Sequence, residues 1–153
     1  MIDTYSGIGT IGLAASDRVS KIIGIEIVDS AVEDAIENAK LNGIDNADYY
    51  LGKAEEVMPK LVKEGVSADV VFVDPPRKGC HTQFLDSLIE VSPKKIVYIS
   101  CNPSTLQRDM KYLERHDFKA SEVTPVDLFP QTKHIEAVTV LEIQIYKIDE
   151  SGT

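Results

Sequence analysis

The chain has 153 residues, 43% of them apolar and 27% charged, which suits one globular domain with a proper core and excludes a disordered or low-complexity chain. A net charge of −9 speaks against a surface that grips nucleic acid on its own, because neutralising phosphates needs Lys and Arg. No apolar run nears the roughly 18 residues of a membrane span, no signal-peptide pattern opens the chain, and the two cysteines lack C-x-x-C spacing; a cytoplasmic protein without a disulfide framework or a metal is expected.

In chain order, Met1–Asp3 offer only the end of a first strand, where about 5–6 residues are usual. The chain therefore reads as cut inside a central strand and as a piece of a longer protein, with a poorly filled sheet centre and edges that favour association. β-rich runs then follow at Lys21–Ile27, Ala47–Leu51, Ala68–Asp74 and Lys95–Ser100, alternating with helical runs near 30–42, 54–64, 82–91 and 104–115. Strands alternating with helices predict a parallel sheet covered on both faces, and "ADVVFVD" and "KIVYIS" are apolar enough to be central strands buried on both sides. "FKASEVTPVDLF" and "AVTVLEIQIY" have no helix between them and predict an antiparallel pair at the C-terminus. Residues 1–148 make one domain, and 149–153 read as a disordered tail.

The loop "DTYSGIGTIG" holds Gly7-x-Gly9-x-x-Gly12, which lets backbone approach a ligand and passes into a helix N-terminus. Glu26 ends the next strand, placed to accept from both hydroxyls of a ribose. Nicotinamide, flavin and S-adenosylmethionine folds share this arrangement, and a ligand-free strand-helix turn would look the same. Asp3, just before the loop, would repel a pyrophosphate and suit the ammonium of a methionine moiety; with the antiparallel C-terminal pair, it favours S-adenosylmethionine over a dinucleotide. "GKAEE" (52–56) follows the third strand, where it would meet an adenine, although Glu55 and Glu56 equally suit a solvated helix start.

"VDPPRKG" (73–79) places Asp74 at the carboxyl end of a parallel strand, with two prolines fixing its direction. Arg77 stands where base-amine methyltransferases carry a stacking aromatic, so Arg77 and Lys78 suit a phosphate or a uracil carbonyl instead. Cys101 ends the strand of "YISCNPSTLQRD"; by residue type alone it is a buried filler, half of a disulfide, a metal ligand or a nucleophile. Asn102 suits an N-cap and Pro103 the first helical position, which sets the thiol at a helix N-terminus. Methylation at a pyrimidine carbon would need such a thiol: addition at C6 makes C5 nucleophilic, and a base must then remove the C5 proton. Glu136 opens the last strand on the same sheet edge and fits that base. His134 either orients a substrate or is an ordinary loop residue, and Cys80 has no catalytic part. On the helix after Cys101, Arg108, Lys111 and Arg115 either face phosphates or are solvated.

Taken together, "DTYSGIGTIGL", "GIEIV", "NAKLNGI", "GKAEE", "VDPPRKG", "YISCNPSTLQRD" and "HIEAVTVLE" resemble the RNA 5-methyluridine (uracil-C5) methyltransferases of the TrmA/RumA type over nearly the whole chain. The resemblance implies a Rossmann-like, S-adenosylmethionine-dependent α/β fold and the C-terminal catalytic domain of a bacterial 23S rRNA (uracil-5-)-methyltransferase. By it, Cys101 is the nucleophile, Glu136 the base, and Asp74 a member of a shared methyl-donor and uracil pocket. Asp3, Tyr5, Ser6, Gly7, Gly9, Glu26, Ile27, Ala54, Glu55 and Asp74 are the implied cofactor residues; Arg77, Asn102 and His134 are the implied substrate residues. The implied partner is an RNA, ribosomal in preference to transfer RNA, held mainly by N-terminal TRAM/OB-like and central parts that this chain lacks. Ser6 stands where many members have Cys. The competing readings are a transfer-RNA enzyme, an inactive cofactor- or RNA-binding fragment, and a nucleotide-dependent oxidoreductase.

Overall fold

The computed structural model describes residues 1–128, 130–131 and 135–144. A seven-stranded sheet organises them in the order β3-β2-β1-β4-β5-β7-β6. The strands are β1 (Ile2–Thr4), β2 (Ile22–Glu26), β3 (Ala47–Leu51), β4 (Val70–Val73), β5 (Lys95–Ser100), β6 (Phe118–Val126) and β7 (Glu136–Ile143). β1 to β5 pair in parallel, whereas β7 runs antiparallel to both β5 and β6. The helices are α1 (Thr10–Ala14), α2 (Asp29–Leu41), α3 (Ala54–Lys63), α4 (Thr82–Val91) and α5 (Pro103–Glu114), with a 3-10 turn at Ser16–Arg18. The α/β reading and the antiparallel C-terminal pair stand. The predicted tail at 149–153 lies outside the described residues.

Local chemistry accounts for the element ends. Asn102 accepts a hydrogen bond from the Ser104 amide at 3.1 Å and Pro103 follows it, so α5 starts as its sequence predicts. α3 contains Pro59, which cannot donate to the carbonyl one turn back. The helix continues because Ala54, Val57, Met58 and Leu61 form one buried stripe. β6 carries Pro125, which an edge strand tolerates.

Two expectations change. β1 has three residues, yet it pairs with β2 on one side and β4 on the other, and Ile2 is fully buried in the sheet centre beside Val71. β4 and β5, predicted to be buried on both faces, are buried on one. Val71, Val73, Ile96 and Tyr98 pack into a core with Phe84, Leu88, Leu113 and Leu141, while Phe72, Val97 and Ile99 on the opposite face are only partly covered. Alternation along a strand separates the two faces, and an apolar run does not say which face finds a partner.

Candidate active site

The carboxyl ends of β1, β2, β4 and β5 and the start of β7 lie along one edge of the sheet, because β7 runs against the others. A cleft of about 350 Å³ opens there, lined by Tyr5, Glu26, Ile27, Ala54, Glu55 and Asp74 among others. Six of the expected cofactor residues, drawn from four loops, thus share one wall.

The glycine loop is built around Glu26. Its Oε2 accepts from the Gly7 amide at 2.8 Å, and its Oε1 accepts from the amides of Ile27 and Val28 at 2.8 and 2.9 Å. Three backbone donors hold the carboxylate rigid and take three of its four acceptor sites, which leaves Oε2 a lone pair for a hydroxyl. Tyr5, Gly7 and Gly9 all have positive φ (59°, 54° and 85°), which curls the loop tightly enough to bring Gly7 onto Glu26. A Cβ on Gly7 would meet nothing within 4 Å, so open space faces this backbone. A nucleoside with a free ribose diol fits this arrangement: an anchored acid, an apolar wall of Ile27 and Ala54, and bare loop backbone. Glu55 is part of the wall, whereas Glu56 turns outward to Lys53 at 3.2 Å.

Asp3 departs from expectation. It is 1% exposed and sits beneath the loop, where its Oδ2 accepts from the Gly12 amide at 2.9 Å. It is not among the residues that line the cleft, and the open start of α1 offers this carboxylate a backbone donor. Ser6 is also buried under the loop, and Gly9 packs on Tyr49. Among the described residues, Asp3 Oδ1, Ser6 Oγ and Tyr49 Oη have no hydrogen-bond partner. Burial raises the Asp3 carboxyl to about 6 against the pull of the Gly12 hydrogen bond, and the charge of Asp74 adds to the rise. A folded-state value above the ordinary 3.8 means that the neutral form favours folding. That stability is full below about pH 4 and is lost as pH rises through about 6. Asp3→Asn keeps an acceptor for Gly12 and should flatten the fall of melting temperature between pH 4 and 7; an unchanged slope would assign it to another group.

Beyond the cleft, Cys101 and Glu136 come together through strand register. Ser100 pairs with Ala137, so Cys101, just after β5, and Glu136, the first residue of β7, lie at the same end of this antiparallel ladder. Both residues are partly exposed. Asp74 links this pair to the cleft: burial and then the charge of Glu136 raise its carboxyl above the usual range. Arg77 is exposed on the same loop. Asn102 lies beside the thiol, with its Nδ2 donating to the Arg77 carbonyl at 3.1 Å and its Oδ1 capping α5. His134 lies outside the described residues. Cys80 is buried 3.4 Å from the Tyr98 hydroxyl, and burial pushes its thiol up to about 12, which leaves it inert at neutral pH. Cys80 and Cys101 are both free. Among the described residues no three His, Cys, Asp or Glu side chains group as metal ligands, and no helix is long and apolar enough to cross a membrane.

The sequence reading assigned Lys78 only a phosphate or a uracil carbonyl as a partner and passed over His81. Both line the cleft, with His81 Nε2 3.5 Å from Glu55 Oε1 and 3.5 Å from Lys78 Nζ. The only signal was their place just after Asp74 at the carboxyl edge.

Comparison with known proteins agrees with this geometry. A Lactobacillus johnsonii protein described as an uncharacterized RNA methyltransferase is 58% identical over 142 residues, which are 93% of this chain and 32% of that protein. A Caldanaerobacter subterraneus protein with the same description is 53% identical over 142 residues, 93% of this chain and 31% of its own length. The chain thus spans about a third of the curated relatives it matches. The crystal structure of Pyrococcus abyssi tRNA (uracil-54, C5)-methyltransferase in complex with S-adenosyl-L-homocysteine superposes with a TM-score of 0.76 at 35% identity, covering 92% of this chain and 33% of that one. Pyrococcus horikoshii NSun6 superposes at 0.74 with 17% identity over 93% of this chain and 47% of its own, which speaks to the fold alone. The family model for tRNA (uracil-5-)-methyltransferase matches residues 1–144, so the chain belongs to the tRNA (uracil-5-)-methyltransferase family.

Proposed function

We propose that this chain is the catalytic domain of a longer S-adenosylmethionine-dependent enzyme that methylates C5 of a uridine in RNA. The observation that carries the reading is the shared edge: the ends of β4 and β5 and the start of β7 bring Asp74, Cys101 and Glu136 to one side of the sheet, next to a cleft suited to a nucleoside. Glu26 would hold a ribose hydroxyl, Ile27, Ala54 and Glu55 the adenine side, and Tyr5, Gly7 and Asp74 the remainder. S-adenosylmethionine supplies an electrophilic methyl group.

The chain's own residues do the rest. The Cys101 thiolate adds to C6 of the uracil, and the electron pair of the C5–C6 bond makes C5 nucleophilic. After C5 gains the methyl group, Glu136 takes the C5 proton, the C5–C6 double bond re-forms and the thiolate leaves. Asp74 and Arg77 would orient the base through its polar edge. A splayed or flipped uridine is the form that such a recessed edge can reach. Ribosomal RNA, suggested by the resemblance to bacterial enzymes, and transfer RNA, the substrate named for the Pyrococcus abyssi protein, are the transcripts to assay.

Calorimetry with S-adenosylhomocysteine and with NAD tests the cofactor half. S-adenosylhomocysteine should bind and NAD should not, and Glu26→Ala should weaken binding by about 10- to 100-fold, the worth of a charged hydrogen-bond acceptor. Preferential binding of NAD would move the chain to oxidoreductase chemistry. A chain that binds the cofactor product yet never modifies RNA accepted by the full-length protein would be a binding fragment.

A further inference from the structure

The stretch after Cys101, "NPSTLQRD", has more order than a nucleophile's helix needs. Asn102, Thr105, Arg108 and Asp109 lie on one face of α5, and every one of them bonds to the loop after Asp74. Asn102 Nδ2 donates to the Arg77 carbonyl at 3.1 Å, and the Thr105 hydroxyl shares its one proton between that carbonyl at 3.2 Å and the Asn102 carbonyl at 3.1 Å. One Arg108 terminal nitrogen donates to the carbonyls of Lys78 and Cys80 at 3.1 and 3.2 Å. Asp109, 1% exposed, accepts the Cys80 amide at 2.8 Å and the Tyr98 hydroxyl at 2.6 Å on one oxygen. Its other oxygen takes Arg108 Nε at 2.8 Å and the Arg108 terminal nitrogen at 2.7 Å.

All but the Tyr98 and Arg108–Asp109 bonds go to backbone, so they fix the path of the loop whatever its side chains are. Gly79 completes the fit. Its φ is +75°, and a Cβ there would lie 2.5 Å from an Arg108 nitrogen and 2.8 Å from Asp109 Oδ2. The helix that begins beside the thiol and the loop that begins at Asp74 are therefore one rigid piece. A buried carboxylate with three donors and an ion pair is costly to assemble and holds its partners tightly once complete.

We propose that this face of α5 is a clamp that sets Asp74 and Arg77 against the Cys101 thiol, with Arg108 and Asp109 as positioning residues for methyl transfer. The inference rests on the function proposed above. It gives "VDPPRKG" and "CNPSTLQRD" a common purpose, since each supplies half of one joint. It also gives Arg108, which the sequence suggested for phosphates, a second task, because one terminal nitrogen holds the loop and Nε holds Asp109.

The test uses the full-length protein with Arg108→Gln and, as a milder change, Thr105→Val. Hydrogen exchange over residues 77–80 should quicken in both. kcat should fall about 10- to 100-fold in Arg108→Gln, the scale of a small misplacement of reacting groups. It should fall about 2- to 10-fold in Thr105→Val, the worth of one hydrogen bond. KM for RNA and S-adenosylhomocysteine affinity should stay near wild type in both. Melting temperature should hold in Thr105→Val, so that its kcat loss is not a stability effect. It should drop in Arg108→Gln, which leaves the buried Asp109 carboxylate without its cation. An Arg108→Gln protein with raised KM, a shallower salt dependence and unchanged kcat would make Arg108 a phosphate contact and overturn the clamp. Unchanged exchange, or a kcat loss in Thr105→Val that follows the melting temperature, would overturn it too. A wild-type protein that never methylates uridine would sink the proposed function and with it the catalytic part of the inference. The exchange readout, which needs no substrate, would still report whether the joint exists.

Discussion

Cys101→Ala should reduce methyl transfer to uridine to background, a loss on the order of 10⁴-fold or more, as when a covalent nucleophile is removed elsewhere. C5 of uracil does not attack a methyl sulfonium unaided, so no residual pathway through this site is expected. Covalent capture of RNA on denaturing gels should vanish together with turnover. S-adenosylhomocysteine binding should persist, since the thiol lies outside the cleft that holds Glu26 and Glu55. The side chain is partly exposed, so its loss opens no core cavity and the melting temperature should barely move. A Cys101→Ala protein that still methylates C5 would remove the covalent mechanism altogether.

Glu136→Gln should behave differently. The glutamine keeps the shape and hydrogen-bonding reach of the acid but accepts no proton. Addition of Cys101 and methyl transfer can then proceed, while loss of the C5 proton is slowed about 10²- to 10⁴-fold, the usual contribution of a positioned base. The expected product is a methylated protein–RNA species that survives denaturing gels and accumulates near one per enzyme. The same change removes the negative charge that helps to hold the Asp74 carboxyl above its usual range, so Asp74 should titrate lower in the variant. A chemical-shift titration of Asp74 reads this without any substrate. Normal turnover by Glu136→Gln would assign the base to another residue, and an unmoved Asp74 would separate the two carboxylates in space.

These two variants test residues that the sequence marks with unequal clarity. Cys101 stands out from its own neighbours: a thiol at a strand end, followed by Asn-Pro, is a local pattern, and the cap forms as that pattern implies. Glu136 owes its place to strand direction. Only because β7 runs antiparallel beside β5 does its first residue arrive at the edge where β5 ends. The sequence implied two paired strands there, and left open that β7, not β6, would take the inner position. Glu26 was legible as the acid after the second strand, and the structure adds the three amides that hold it.

Other residues take positions that residue type does not reveal. Asp3 has the right charge for an ammonium, but it turns down to the Gly12 amide and is buried. Arg108 looks like a solvated cation by composition, yet it is spent on two carbonyls and a buried carboxylate. His81 carried no pattern of its own and still borders the cleft.

Alternation of β-rich and helical runs, the glycine loop with its following acid, and the capped start after Cys101 are properties of neighbouring residues, governed by steric and hydrogen-bonding rules that act over a few positions. They were present in the amino-acid order before any folding was considered. The shared edge of Cys101 and Glu136, the burial of Asp3 and the grip of α5 on the 77–80 loop join residues 9 to 35 positions apart. Those depended on which strand lay beside which and which way each ran, and that is settled by packing the whole sheet at once.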